Sequence, residues 1–369
     1  MKIESIQAII VDLPIARPHK LAMATLNRHS LLVVRMETDL GIEGLGELSV
    51  IPHYSEESIT AAKAVIDDVL APGLIGQDPR RIENALLKMD RLIKGNYYSK
   101  AALEMACVDI TAKALGVPAS ALFGGRTQER LQMLWVLANG QVDLDVAEAL
   151  QKLNQRTHRL FLVKVGSGDV RENVARAIAV KAALGEDAAV RVDANQAWDE
   201  ATAGWAIGEL QAGGIEVVEQ PVHRANVAAM QRLTATYTLP IMADEAVVTI
   251  EDALAFSSSH ACDALSLKVS KHGGMTRTKE VSHIASAAGI TLFGGTMLEG
   301  RIGTSACAQL FSTLPSLPWG CQLFGPQLLS DDVARVDLRY EDYALVPPSD
   351  PGLGAELDLE KLAFYRRSA

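Results

Sequence analysis

The chain has 369 residues, 49% of them hydrophobic and 22% charged, enough for one large domain beside a smaller one, which excludes the disordered and fibrous classes. A formal charge of −10, with no Lys/Arg-dense run interleaved with aromatics, argues against nucleic acid or an anionic membrane and for a small-molecule partner. No apolar stretch approaches the ~18 residues of a membrane span, and the four scattered cysteines, Cys107, Cys262, Cys307 and Cys321, form no CxxC, so reduced core thiols in a cytoplasmic protein are expected.

In chain order, "IQAIIVDLPI" and "HSLLVVRMETD" read as strands, the first rather than a signal peptide, and "GIEGLGE" as a turn into a third strand. Helical spacing follows in "EESITAAKAVIDDVLAPGL", "RRIENALLKMDRLIKG" and "YYSKAALEMACVDITAKALG", each ended by Gly or Pro. Residues 1–125 are thus expected to form an α+β domain, with the boundary in "GVPASALFGGR". From 126 to 326 short apolar strands alternate with helix-like segments: "LQMLWVLA", "RLFLVKVG", "AVRVDA", "IEVVEQ", "PIMADE", "ALSLKVS", "ITLFGG" and "WGCQLFG". About eight such units favour a closed α/β barrel over an open sheet, and no GxGxxG follows the first strand to suggest a dinucleotide. Residues 327–369 leave this period and are expected to pack back on the first domain.

Chemistry in such a barrel gathers at the C-terminal strand ends. There, "VRVDANQAW" places Asp193 and Asn195, "IEVVEQP" places Glu219, and "PIMADEAV" places Asp244 and Glu245. Acids on three successive strands repel unless a cation intervenes, and an all-oxygen set prefers Mg²⁺ or Mn²⁺ to zinc. Lys164 ends strand two and Lys268 strand six, on opposite sides of an eight-stranded barrel. Lys271, by contrast, reads as an outward snorkelling residue. Glu299, after strand seven, is a further acid over the mouth. A metal at a substrate carboxylate with amines beside its α-carbon describes proton transfer through an enolate.

At these residues the chain resembles the muconate-lactonizing subgroup of the enolase superfamily, and is similar to bacterial muconate cycloisomerases over nearly its whole length. The runs that carry the likeness are "DLPIARPHKLAM", "APGLIGQDP", "VRVDANQAWDE", "EQPVHRAN", "IMADEAV", "LKVSKHGG" and "GGTMLEGRIGTSA", with the stretch from "ELS" to "YSEES" in the lid. The resemblance implies an α+β capping domain over a modified (β/α)7β TIM barrel, with Asp193, Glu219 and Asp244 as metal ligands. It implies Lys164, Lys268 and Glu299 as the catalytic set; Asn195, from its strand-end position, and Ile51, His53 and Tyr54, in a lid loop "LSVIPHYSEES" that looks shorter than in close relatives, are expected to contact substrate. The implied reaction is interconversion of cis,cis-muconate, or a substituted muconate, and its muconolactone in aromatic-acid catabolism through the β-ketoadipate route, with Mg²⁺ or Mn²⁺ and in a homo-octamer. A racemase or epimerase of an N-acyl amino acid or dipeptide would use the same metal and both lysines. A barrel kept as a binding protein is the reading from another class.

One departure stands out. The family pattern on strand two is Lys-x-Lys, whereas this chain has Leu162-Val163-Lys164. Residues two apart share a strand face, so a like charge is missing one layer below Lys164. Lys164 is therefore expected to stay protonated over more of the neutral range, in a proton-donor or electrostatic role.

Overall fold

The structure, a computed structural model, describes residues 1–20 and 25–368, so the resemblance run "DLPIARPHKLAM" extends past Lys20 outside the described residues. Strands Ile3–Lys20, Thr25–Thr38 and Glu43–Ser49 form an antiparallel sheet. Helix Tyr97–Leu115 lies on it, buried over most of its surface. The glycines of "GIEGLGE" allow that contact, because a Cβ on Gly46 would lie 1.8 Å from the Ala102 carbonyl oxygen and one on Gly44 2.3 Å from that of Ala106. The first predicted helix is interrupted, passing from Ile59–Val65 through a π turn, Ile66–Leu70, to Ala71–Leu74.

Seven parallel strands follow: Leu134–Leu137, Leu160–Lys164, Ala189–Asp193, Val218–Glu219, Ile241–Ala243, Ala264–Leu267 and Thr291–Gly294. Neighbours in sequence are neighbours in the sheet. The eighth predicted strand contracts to Cys321, which bridges Gly294 on one side and Met133 on the other and so closes the (β/α)7β barrel. The strands are apolar because both their faces are covered, by the barrel interior and by the helices outside. Several helices start where a side chain accepts a backbone N–H: Asp169 from Glu172, Asp199 from Thr202, and Thr249 with Asp252 in a capping box. All four cysteines are free and buried, and among the described residues no helix is long and apolar enough to cross a membrane.

The chain after residue 327 touches both parts. Ala344 and Leu345 pair with Gln132 and Leu131 at the start of the barrel, while Arg367 donates to Asp12 in the first strand at 2.8 Å.

Buried carboxylates join the capping domain to the barrel at helix N-termini, where exposed N–H groups and the helix dipole favour an anion. Glu104 of the capping helix accepts from Met275 N at 2.8 Å and Thr276 N at 2.9 Å, at the start of helix Met275–Ala287. Glu47 of the third strand accepts from Gly300 N at 2.6 Å, at the start of helix Arg301–Phe311, and Asp332 accepts from Arg301 N at 2.9 Å. A Cβ on Gly300 would lie 3.0 Å from Glu47 Oε2 and 3.1 Å from Asp332 Oδ2, so the two carboxyls flank one backbone position.

Burial, and then the charges of Asp332 and Glu299, push the Glu47 carboxyl well above the usual carboxylate range against the N–H groups of Gly300 and Gly303. A carboxyl raised in the folded state binds its proton more tightly there than in the unfolded chain. Its contribution is therefore complete below the unfolded value, about 4.5, and is lost as pH rises towards the folded one. Glu47→Gln, which mimics the protonated form, is expected to raise the melting temperature at pH 9 by about 1–2 °C, the scale of ~1 kcal/mol in a chain of this size, and to change it little at pH 5. Melting curves of parent and variant at both pH values check this, and a difference independent of pH would contradict it.

Candidate active site

The lysine of strand two and the acids of strands three to five do meet at the barrel mouth. Lys164 Nζ donates to Asp193 Oδ2 at 2.6 Å and to Asn195 Oδ1 at 2.9 Å. Asn195 in turn donates its backbone N–H to Asp193 Oδ1 at 2.8 Å and its amide to Glu245 Oε1 at 3.1 Å. From the far side, strand six, Lys268 donates to Asp244 Oδ2. Several non-glycine residues at these strand ends hold positive φ: Asn195 at 44°, Gln196 at 69° and Gln220 at 36°. Such backbone persists where surrounding contacts over-determine it. Gln220 shows one such contact, its Oε1 accepting from Asp244 N at 2.9 Å.

The electrostatics follow from crowding. Burial and then the Asp193 charge push Glu219 up to about 7, with Arg191 opposing, and its Oε2 is buried without a hydrogen-bond partner. Burial and then Asp244 push Glu245 up to about 8. Asp244 itself is held low, because Lys268 and Lys271 outweigh its burial. Burial disfavours the charged form of Lys164, but Asp193, Tyr54 and Glu219 outweigh it and the net shift is upward. Lys268 is raised in the same way, by Asp244 and Glu219 against burial.

Leu162 is fully buried, one layer below Lys164 on the same face. That layer is not free of charge. Directly across on strand three, paired in register with Leu162, sits Arg191, whose guanidinium lies 3.6 Å over the Phe293 ring and 3.8 Å from Glu219. The cation beneath this site is therefore an arginine on the neighbouring strand, turned towards Glu219.

Two neighbouring cavities open here, with part of their walls in common. The inner chamber, 40 Å³, is walled by Ile51 and Tyr54 of the lid, Lys164, Lys268, Leu298 and Gln322. An outer cavity of 270 Å³ shares Tyr54, Lys268 and Met297 with it and is walled on the capping side by Asn96, Tyr97 and Tyr98. A water occupies roughly 10–15 Å³ on this measure, so a dicarboxylate fits only by displacing the lid or extending into the outer cavity. The lid is tied to the barrel by an ion pair between Glu56 and Arg224.

Three expectations are corrected. Lys271 does not snorkel outward: it is buried and donates to Asp244 O at 2.6 Å, Asp244 Oδ1 at 2.9 Å and Ser266 O at 3.0 Å, because the chain turns inward after strand six. Glu299 is fully buried and lines neither cavity. Its carboxylate accepts from Met297 N at 2.9 Å and the Thr296 hydroxyl of its own turn, and from the Ser270 hydroxyl at 3.4 Å. His53 is exposed and lines neither cavity: it lies in the single helical turn Pro52–Ser55, where adjacent residues diverge by about 100° and Tyr54 takes the inward side. Sequence reasoning missed Gln322, which applying the strand-end rule to the eighth strand would have found. It also gave no role to Arg191, Met297 or Leu298, whose apolar or mid-strand settings carry no chemical signal.

The carboxylates of Asp193, Glu219 and Asp244 fit a hard divalent cation by donor type, and the orphaned Glu219 oxygen marks where charge is uncompensated. Among the described residues no three such side chains are drawn together into a coordination shell. Asp193 and Asp244 are instead paired with the lysines. A divalent cation bound there would compete with these ammonium groups for the two carboxylates.

Two family models match the chain: "Mandelate racemase / muconate lactonizing enzyme, N-terminal domain" over residues 5–124 and "Enolase C-terminal domain-like" over residues 145–362. Muconate cycloisomerase 1 of Pseudomonas putida is 44% identical over 369 residues, covering 99% of this chain and 98% of its own. A chloromuconate cycloisomerase of Pseudomonas sp. (strain P51) is 39% identical over 371 residues, covering 100% of both. The crystal structure of muconate lactonizing enzyme from Pseudomonas fluorescens complexed with muconolactone superposes with a TM-score of 0.97 at 47% identity, covering 99% of each chain. Members of this family use a divalent metal ion, in keeping with the oxygen donors at the barrel mouth. The chain belongs to the mandelate racemase/muconate lactonizing enzyme family of the enolase superfamily.

Proposed function

We propose that this protein is a metal-dependent cycloisomerase that interconverts cis,cis-muconate, or a substituted muconate, and its muconolactone. One observation carries the reading: two ammonium groups, Lys164 and Lys268, stand on opposite strands of an enclosed mouth, each paired with a different acid of one carboxylate set. Full-length likeness to muconate and chloromuconate cycloisomerases favours this over racemisation of an acyl amino acid.

Asp193, Glu219 and Asp244 would hold the metal, Mg²⁺ or Mn²⁺. Bound there, the ion would neutralise the acid cluster and stabilise negative charge developing on a substrate carboxylate. The chain's own residues do the rest. In lactonization, one substrate carboxylate oxygen bonds to the conjugated chain, and the electron pair moves to the carbon beside the other carboxylate. An ammonium at that carbon then delivers a proton, and in the reverse direction the neutral amine removes it. Lys164, hydrogen-bonded to Asp193 and Asn195, and Lys268, hydrogen-bonded to Asp244 on the opposite side of the mouth, are the two groups that would serve as this acid and base. Ile51 and Tyr54 close over the chamber and exclude water, and Asn195 fixes Lys164 at its second hydrogen bond.

Lys164→Ala and Lys268→Ala are each expected to fold and to lose about 10²- to 10⁴-fold in kcat, the usual worth of a positioned acid or base. Loss of muconate measured by absorbance, with circular dichroism as a folding control, checks this, and wild-type turnover in either variant would make that lysine structural.

Removal of divalent metal by chelation is expected to abolish turnover and to lower the melting temperature, since an ion bound only by the native state stabilises it by mass action. Elemental analysis with a panel of muconates, lactones and dipeptides tests metal and substrate together. Full activity in a chelator, with no metal in the protein, would reject Asp193, Glu219 and Asp244 as ligands.

A further inference from the structure

The wall of the inner chamber between strands seven and eight is a short turn, Thr296–Gly300, that places Met297 and Leu298 against the same space as Lys164 and Lys268. Its backbone is unusual: Leu298 sits at φ 64°, a left-handed conformation that L-residues with a full side chain avoid. Part of the support is internal. Glu299 accepts from Met297 N, and Leu298 N donates to Thr296 Oγ1 at 2.9 Å.

The rest comes from the other domain. His29 and Ser49 share one face of the capping sheet, since Ser49 pairs with Leu31 and His29 lies two residues from Leu31. Ser49 Oγ donates to Met297 O at 2.6 Å, and His29 Nε2 lies 2.7 Å from Leu298 O and 3.1 Å from Ser49 Oγ. Two residues further along the same face as Ser49, Glu47 accepts from Gly300 N. Three backbone groups of one turn are thus held from one sheet face. Burial pushes His29 down to about 4, so at neutral pH its ring is uncharged, with Nε2–H as the donor to Leu298 O. Both side chains are buried and neither lines the chamber, so they can act on substrate only through the turn.

We infer that His29 and Ser49 of the capping sheet are positioning residues, which hold the Thr296–Gly300 turn in its left-handed form and so set where Met297 and Leu298 wall the substrate. The kinetic part of this inference rests on the cycloisomerase reading, and the mechanical part does not.

Four proteins test it: the parent, His29→Leu, His29→Gln and Ser49→Ala. Glutamine keeps an N–H donor at the reach of the ring nitrogen, and leucine does not. Hydrogen–deuterium exchange of peptides spanning residues 294–302 is expected to quicken in His29→Leu and Ser49→Ala and to return towards the parent in His29→Gln. With cis,cis-muconate, KM is expected to rise roughly three- to tenfold in His29→Leu, about the worth of one hydrogen bond, with kcat changed less and His29→Gln restoring KM. A role in stability alone would lower the melting temperature and leave KM and local exchange unmoved. Parent-like exchange in both His29→Leu and Ser49→Ala would overturn the inference. Should His29→Leu fail to fold, Ser49→Ala decides by the same two measurements. A parent that does not turn over muconate would reject the substrate reading, while exchange would still decide whether the sheet holds the turn.

Discussion

Mutual repulsion among buried carboxylates is the constraint around which this molecule is arranged. Asp193, Glu219, Asp244 and Glu245 stand on adjacent strand ends, all buried, where water cannot screen them. Lys164, Lys268, Lys271 and Arg191 answer them from strands two, six and three and from the turn after strand six. The compensation is uneven. Asp244 accepts from two ammonium groups and stays ionised, whereas Glu219 has a guanidinium at 3.8 Å and Lys268 opposing its burial and is still pushed up to about 7. Charge is thus least balanced in the middle of the cluster, where a divalent cation has most to offer. The parallel barrel makes the crowding possible because every strand end points the same way.

The capping domain handles buried acids by a different route. Glu104 and Glu47 have no lysine or arginine hydrogen-bonded to them and instead accept backbone N–H groups at the starts of the helices that follow strands six and seven. An acid in that position joins two domains and satisfies helix donors that would otherwise be buried unpaired. Glu47 goes further, because Asp332 of the C-terminal segment shares its surroundings and raises its proton affinity. One helix start therefore gathers the capping sheet, the barrel and the C-terminal segment. The same sheet face carries Ser49 and His29 to the neighbouring turn, so domain docking and the shape of the chamber wall have a common origin.

Strand two illustrates how an apparent loss is absorbed. Leu162 stands where the resemblance led to the expectation of a lysine, and read alone it empties the deeper layer of charge. In the barrel that layer is shared between strands, and Arg191, paired in register with Leu162, keeps a cation in it beneath the acids. Its guanidinium is buried without hydrogen bonds and pressed on Phe293, so burial pushes it down to about 10. The upward shift of Lys164 comes from Asp193, Tyr54 and Glu219 acting against burial.

Periodicity made the barrel and the α+β domain before it legible, strand-end position singled out Asp193, Glu219, Asp244, Lys164 and Lys268, and the capping role came from the resemblance alone. These properties are local: a strand's alternation and the residue at its C-terminal end are written in a few consecutive letters, and parallel topology does the rest. Lys271 and Glu299 were misread because each lies just outside a regular element, and His53 because it lies in a helix of a single turn. There a single turn decides between a salt bridge on Asp244, a lock within the Thr296–Gly300 turn and open solvent. Arg191 and Gln322 also fell to the tertiary structure, since their role depends on which neighbours share a layer across strands far apart in sequence. The sequence by itself thus determined which charged groups stand at the ends of strands two to six, because strand geometry repeats. Only the folded chain decided which of them pair, which are left uncompensated and which domain holds the wall in place, because these depend on distances between segments that meet only after the barrel closes.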